Sequence, residues 1–142
     1  MRARIKWKGN VSFLAESGSG HSVLMDGVPE AGGQNLGPRP MEMLLMGLGG
    51  CTTFDVVLIL KKSRQDITDC VVEIEAERAA VDPKVFTHIH LHFIITGNNL
   101  NPQQIERAIS LSSEKYCSAS IMLKDAVKIT HDFEIMHARQ EV

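Results

Sequence analysis

Apolar and polar side chains alternate through residues 2–8, 11–16 and 21–26, the period of strands with one dry face. Gly9-Asn10 separates the first two runs and Ser17-Gly18-Ser19-Gly20 the last two, which predicts an antiparallel meander. Residues 27–39 hold Pro29, Gly32-Gly33, Gly37 and Pro38 and show no period, so a surface loop links the meander to the next element. From Pro40 the pattern is almost continuously apolar. Pro40 suits a first helical turn, Glu42 faces the positive helix end, and Lys61, Lys62 and Arg64 complement the other end, predicting a helix over residues 40–63. A helix apolar on every side is hard for a small domain to enclose, and a partner subunit is the simplest cover.

Strand periodicity resumes with Cys70, Val72, Ile74 and Ala76 on a dry face against Val71, Glu73, Glu75 and Glu77. A pairing strand follows, with Ile89, Leu91, Phe93 and Ile95 on one side and His88, His90, His92 and Ile94 on the other. Asn101-Pro102 then caps a second, amphipathic helix carrying Ile105, Ala108, Ile109, Ser112 and Tyr116 at helical spacing. Cys117 opens a short third helix through Lys124. Val127 and Ile129 lead, after an expected irregularity, to Phe133 and Ile135 in a last strand. With no repeat in its 142 residues, the chain reads as a single α+β domain over residues 1–142.

Charge narrows the partners. Fifteen Lys+Arg against 17 Asp+Glu leave a net charge of -2, without the positive excess a phosphate backbone demands, so no nucleic acid is expected. The alternating start around Trp7 does not resemble a secretory leader, and a cytoplasmic location is expected. The apolar stretch of residues 43–60 approaches the length of a membrane span, but Asp55, three glycines and Thr52-Thr53 favour a core helix and no membrane.

Three cysteines, at positions 51, 70 and 117, are too few for a disulfide scaffold, leaving reactive or merely apolar roles. Cys51 follows Gly49-Gly50, where a backbone or small substrate can approach, yet a cysteine in such a helix is more often a small hydrophobe. Cys70 reads as inert. Cys117 stands at a predicted helix start, where backbone N–H groups stabilise a thiolate. His88, His90 and His92 share a strand face but span roughly 13 Å, too stretched to close round one ion, and are read as a solvated or interface-facing sheet surface. Met41, Met43 and Met46 read as apolar filler rather than pocket lining.

The run Gly37-Pro38-Arg39-Pro40-Met41-Glu42-Met43-Leu44-Leu45-Met46-Gly47-Leu48-Gly49-Gly50-Cys51-Thr52 resembles the central helix of the OsmC/Ohr family. Glu114-Lys115-Tyr116-Cys117-Ser118 is similar to that family's later cysteine motif, with serine where many members have proline, and the element order matches over nearly the whole chain. The resemblance implies antiparallel sheets wrapped around long central helices in an intertwined homodimer, with sites at the subunit interface. It implies Cys51 as the peroxidatic thiol attacking an organic or lipid hydroperoxide. Cys117 would be the resolving thiol, and a dithiol such as a lipoylated protein the reductant. No cofactor and no metal are expected.

Two departures qualify this. The glycine-containing hairpin lacks the family arginine, and Met41 stands where the family has glutamate, with Glu42 pointing about 100° away. A buried thiol needs a nearby cation to stay reactive, and Asp55, one turn along, opposes ionisation of Cys51. Arg39, Lys115 or His21 are the candidate cations, and Asp55 otherwise reads as a buried carboxylate bonded to a neighbouring backbone or to a basic group of the partner chain. The alternative is a catalytically quiet protein that binds an apolar small molecule or senses redox state at the dimer interface.

Overall fold

The computed structural model describes residues 1–139, which form two compact units, one up to Met46 and one from Gly47 onward. In the first, β1 (Ala3–Trp7), β2 (Ser12–Ser17) and β3 (Ser22–Asp26) form the expected antiparallel meander in the order β1-β2-β3. The loop after β3 is not featureless. It contains a 3-10 turn at Pro29–Ala31, and the buried Asp26 carboxylate accepts hydrogen bonds from the backbone of Gly27, Gln34 and Leu36 and from the Ser12 hydroxyl. Those bonds, the one from Gln34 foremost, hold Asp26 below the ordinary carboxylate range.

Helix α1 (Pro40–Lys62) matches the expected bounds within a residue. By length and composition it could cross a bilayer, and less than a third of that stretch is buried. Its buried positions Leu48, Thr52, Val56 and Leu60 recur every fourth residue, while Gly47, Gly50, Phe54 and Leu58 line another side at spacings of three and four. Phe54 is 66% exposed and Leu58 40%, so this single chain leaves an apolar seam uncovered.

From Gly47 onward, Val56 and Leu60 of α1 share a core with Leu91, Phe93 and Ile95 of β5 (Phe86–Asn98) and with Ile105, Ala108 and Ile109 of α2 (Pro102–Leu111). Strand β4 (Asp66–Arg78) pairs with β5 antiparallel over almost its full length. Two expectations fail here. Strand β6 (Lys128–His137) pairs with β5 in parallel, so this second sheet is mixed rather than antiparallel. The α2–α3 crossover between the strands permits that direction, which a two-residue hairpin would forbid. The irregularity expected in β6 is also absent: its register runs unbroken from His88↔Lys128 to Gly97↔His137. His131 sits at the interruption in the apolar pattern, exposed on the side that carries Ile129 and Phe133.

Candidate active site

The helix expected to carry Ser112 and Tyr116 on one face ends at Leu111 and opens into a π turn at Ser112–Tyr116. Cys117 N–H donates to the Ser112 carbonyl at 2.7 Å, closing a ring one residue wider than an α turn. That extra residue sends Tyr116 out to solvent, 52% exposed, and brings Ser112 and Cys117 inside. Cys117 adopts extended dihedrals and becomes the N-cap of α3 (Ser118–Leu123), its sulfur accepting from the Ser120 N–H at 3.4 Å.

Helix α1 supplies the opposing wall. Cys51, Thr52 and Asp55 fall on adjoining positions of one side, and the Cys51 sulfur, the Cys117 sulfur and an Asp55 carboxylate oxygen all lie within 4.8 Å of one another. Both sulfurs are reduced, Cys117 fully buried and Cys51 half-buried. What approaches Gly49 is a side chain rather than the backbone or substrate expected: a Cβ there would stand 2.6 Å from Ile74 Cδ1, whereas one on Gly50 would meet nothing.

Hydroxyls hold two of the three groups, Asp55 and Cys117. Ser112 Oγ is 3.3 Å from Asp55 Oδ2 and 3.2 Å from the Thr52 carbonyl. Thr52 Oγ1 donates its hydrogen to the Leu48 carbonyl at 2.8 Å and lies 3.4 Å from the Cys117 sulfur. With that hydrogen committed, it can only accept from a neutral Cys117 thiol; it turns to donate when the sulfur is ionised. The Ser120 hydroxyl is buried beside the same sulfur and has no partner at hydrogen-bonding geometry.

The two thiols titrate as a pair, and the negative charge settles first on Cys117. Burial opposes that, but the Ser120 and Thr52 hydroxyls, the Ser120 N–H and the Cys51 thiol together outweigh it and lower the Cys117 pKa. At Cys51 the Ala119 N–H favours the thiolate; desolvation and the charges of Cys117 and Asp55 overcome it and raise the pKa. Burial, with Asp69 adding, pushes the Cys70 thiol up to about 11.

The other sequence candidates sit elsewhere. Arg39 and Glu42 belong to the N-terminal unit and pair with each other at 3.6 Å, with Arg39 also donating to Asn35. The Lys115 ammonium lies 5.4 Å from the centre of the neighbouring Tyr116 ring. His21 bonds Ser19 in its own hairpin. Among the described residues from Gly47 onward, no lysine, arginine or histidine makes a hydrogen bond or ion pair with Cys51, Cys117 or Asp55. Within this chain the hydrogen-bond partner of Asp55 is the Ser112 hydroxyl. Thr52, Ser112 and Ser120 carry no signal of their own in the sequence; only the positions of Thr52 beside Cys51 and Ser120 at cap spacing after Cys117 hint at them.

The histidine stripe has partners of its own. His88 Nε2 and His90 Nδ1 each lie 2.7 Å from Thr130 Oγ1, and His90 Nε2 is 2.9 Å from Asp132. His92 places Nδ1 2.7 Å from Asp132 and Nε2 3.2 Å from Glu134. With a carboxylate at each ring nitrogen, His92 favours the imidazolium: Asp132 and then Glu134 raise its pKa, and His92 in turn lowers that of Asp132.

Comparison with known proteins places the chain in a family. The chain is 51% identical over 138 residues to Protein YhfA of Escherichia coli, covering 97% of this chain and all of that protein. A solved structure of a hypothetical protein from Aquifex aeolicus superposes with a TM-score of 0.85 at 27% identity, over 97% of both chains. An organic hydroperoxide resistance protein OsmC from Legionella pneumophila shares the fold, with a TM-score of 0.73 at 20% identity over 94% of this chain and 95% of that one. The sequence profile described as OsmC-like protein matches residues 32–132, and this chain belongs to the OsmC-like family.

Proposed function

We propose that the chain is a cysteine-based thiol peroxidase that reduces organic or lipid hydroperoxides, with Cys51 attacking and Cys117 resolving. The observation that carries the reading is the approach of the two sulfurs to within 4.8 Å, with Cys117 accepting from the Ser120 N–H at the start of α3. A disulfide requires about 2.05 Å, so side-chain rotation has to close at most about 3 Å. The hydroperoxide resistance named for the Legionella neighbour supports the substrate class.

The half-buried Cys51 is the thiol a peroxide can reach, while Cys117 is the more acidic of the pair. In the singly ionised pair, Cys51 passes its proton to Cys117 as its sulfur attacks the terminal peroxide oxygen. The O–O bond breaks, the alkoxide takes the proton back from Cys117 and leaves as alcohol, and Cys51 becomes a sulfenic acid. The Cys117 thiolate then attacks the Cys51 sulfur and expels hydroxide, which takes a proton from solvent and leaves as water. An external dithiol, such as a lipoyl group, reduces the resulting disulfide and returns both thiols. A homodimer in the cytoplasm, the second copy covering the Phe54–Leu58 seam of α1, completes the proposal.

A quieter role has its own support. No described basic group from Gly47 onward bonds the thiol pair, and the raised Cys51 pKa favours slow chemistry, as in a redox sensor or a binder of apolar molecules. Hydroperoxide consumption separates the two. A peroxidase consumes cumene hydroperoxide far faster than free cysteine does and turns over with dihydrolipoamide, and Cys51→Ser abolishes both. Wild-type consumption no faster than free cysteine would leave only the quiet role.

A further inference from the structure

The same three side chains form a constellation that peroxide chemistry does not require. We propose that the reduced site binds one zinc ion through the sulfurs of Cys51 and Cys117 and the carboxylate of Asp55, with water in the fourth position. From the sequence no metal is expected, and the histidine stripe alone suggests a place for one.

Geometry comes first. A tetrahedral zinc with sulfur ligands at about 2.3 Å and a carboxylate oxygen at about 2.1 Å sets its ligand atoms roughly 3.6–3.8 Å apart. The three atoms here already lie within 4.8 Å of one another, so about 1 Å of closure completes the set. Two thiolates and a carboxylate are a soft, anionic donor set, and no lysine, arginine or histidine described from Gly47 onward bonds to them. A divalent cation would supply the missing positive charge.

The surroundings supply the outer support that metal sites depend on. The Cys117 sulfur has the Ser120 N–H and the Thr52 hydroxyl, both at 3.4 Å. Asp55 is held by Ser112 at 3.3 Å. The Ser120 hydroxyl, buried and without a hydrogen-bond partner in the reduced site, can donate to the Cys117 sulfur whether that thiolate is free or metal-bound. Since Cys51 and Asp55 are only half-buried, the open side lies along the edge they form, which leaves a route for the ion and a position for water.

The inference uses the thiols of the proposed peroxidase but not its chemistry. Binding exchanges two thiol protons for the ion, and a Cys51–Cys117 disulfide removes both sulfur donors. Cobalt(II) is the probe, added to the reduced, metal-free full-length chain and then displaced with zinc. The expected result is one equivalent bound, with intense visible bands of a tetrahedral ion and thiolate-to-cobalt charge transfer in the near ultraviolet. These signals vanish in Cys51→Ser and Cys117→Ser, weaken at least about tenfold in affinity in Asp55→Asn, and are unchanged in Cys70→Ser and His90→Ala. Wild-type protein carrying the Cys51–Cys117 disulfide must lose the signal too, a check that needs no variant to fold. Pale octahedral cobalt, or a signal that survives loss of either thiol, overturns the inference. Hydroperoxide consumption by the metal-free chain is scored separately: zinc binding without it sinks the peroxidase reading alone, and peroxidase activity without metal binding sinks this inference alone.

Discussion

Replacing Asp55 with asparagine should make the thiol pair more reactive, although it removes a residue at the centre of the site. The change is nearly isosteric, and the amide oxygen can still accept from Ser112, whose hydroxyl lies 3.3 Å from the carboxylate. What is lost is a negative charge within 4.8 Å of both sulfurs. Two unit charges at that separation repel by about 0.9 kcal/mol in water and about 3.5 kcal/mol at an effective dielectric constant of 20. A half-buried site falls between these limits, so the pair's first apparent pKa should drop by about 1–2 units. Where the thiols are largely protonated at neutral pH, the thiolate fraction rises about 10- to 100-fold. A less basic thiolate is also a weaker nucleophile, and a Brønsted coefficient of about 0.45 leaves a net gain of about three- to tenfold. Ultraviolet titration of the thiolate and the second-order rate with cumene hydroperoxide measure the two quantities. An unchanged or higher pKa, or a slower reaction, refutes the reasoning. In the cobalt titration the same variant moves the other way, because the carboxylate that repels a thiolate attracts a cation.

Other consequences are simpler to test. Phe54→Asp puts a charge into the exposed seam of α1, and should weaken the proposed homodimer by about 2–4 kcal/mol, roughly 30- to 1000-fold in Kd, in sedimentation velocity; a wild-type chain that is monomeric at every concentration removes the premise. Phe93→Ala, at the centre of the core, should cost about 3–5 kcal/mol in urea unfolding; a loss under 1 kcal/mol, on the order of a surface change, would contradict the packing. The His92–Asp132 pair should stabilise the fold fully between pH 3.8 and 6.5, because the His92 pKa is raised above 6.5 and the Asp132 pKa lowered below 3.8. Its contribution disappears as the pH rises through the folded His92 value or falls through that of Asp132. The Tm advantage of wild type over His92→Gln should therefore shrink above pH 6.5; an advantage that grows with pH reverses the sign and the argument.

What could be read from the sequence was what local chemistry determines. Pro40 and the Lys61-Lys62 pair mark the two ends of α1, and strict alternation from Cys70 to Glu77 assigns the faces of β4 correctly. Asn101 and Cys117 stand at the helix starts expected of them. Strand direction was not legible, since a two-residue period is the same whichever way β6 runs against β5. The π turn was hidden for a similar reason: Ser112 and Tyr116 both fit helical spacing, and one added residue turns the second outward. Cys51 and Cys117 could be named as candidates, but their approach depends on packing between α1 and the α2–α3 junction, a long-range outcome that no local pattern encodes. Resemblance alone suggested that they meet. The hydroxyls of Thr52, Ser112 and Ser120 were not legible because serine and threonine are common in helices and caps, and only the sulfur and carboxylate beside them give them a role.

The pairing of Cys51 with Cys117 is the claim on which the rest depends, and intact-protein mass spectrometry after one equivalent of hydroperoxide tests it directly. The account predicts a chain two hydrogens lighter, with a Cys51–Cys117 crosslink recovered after digestion and Cys70 still open to alkylation once the chain is unfolded. Stable addition of oxygen to Cys51 while Cys117 remains a free thiol would contradict it.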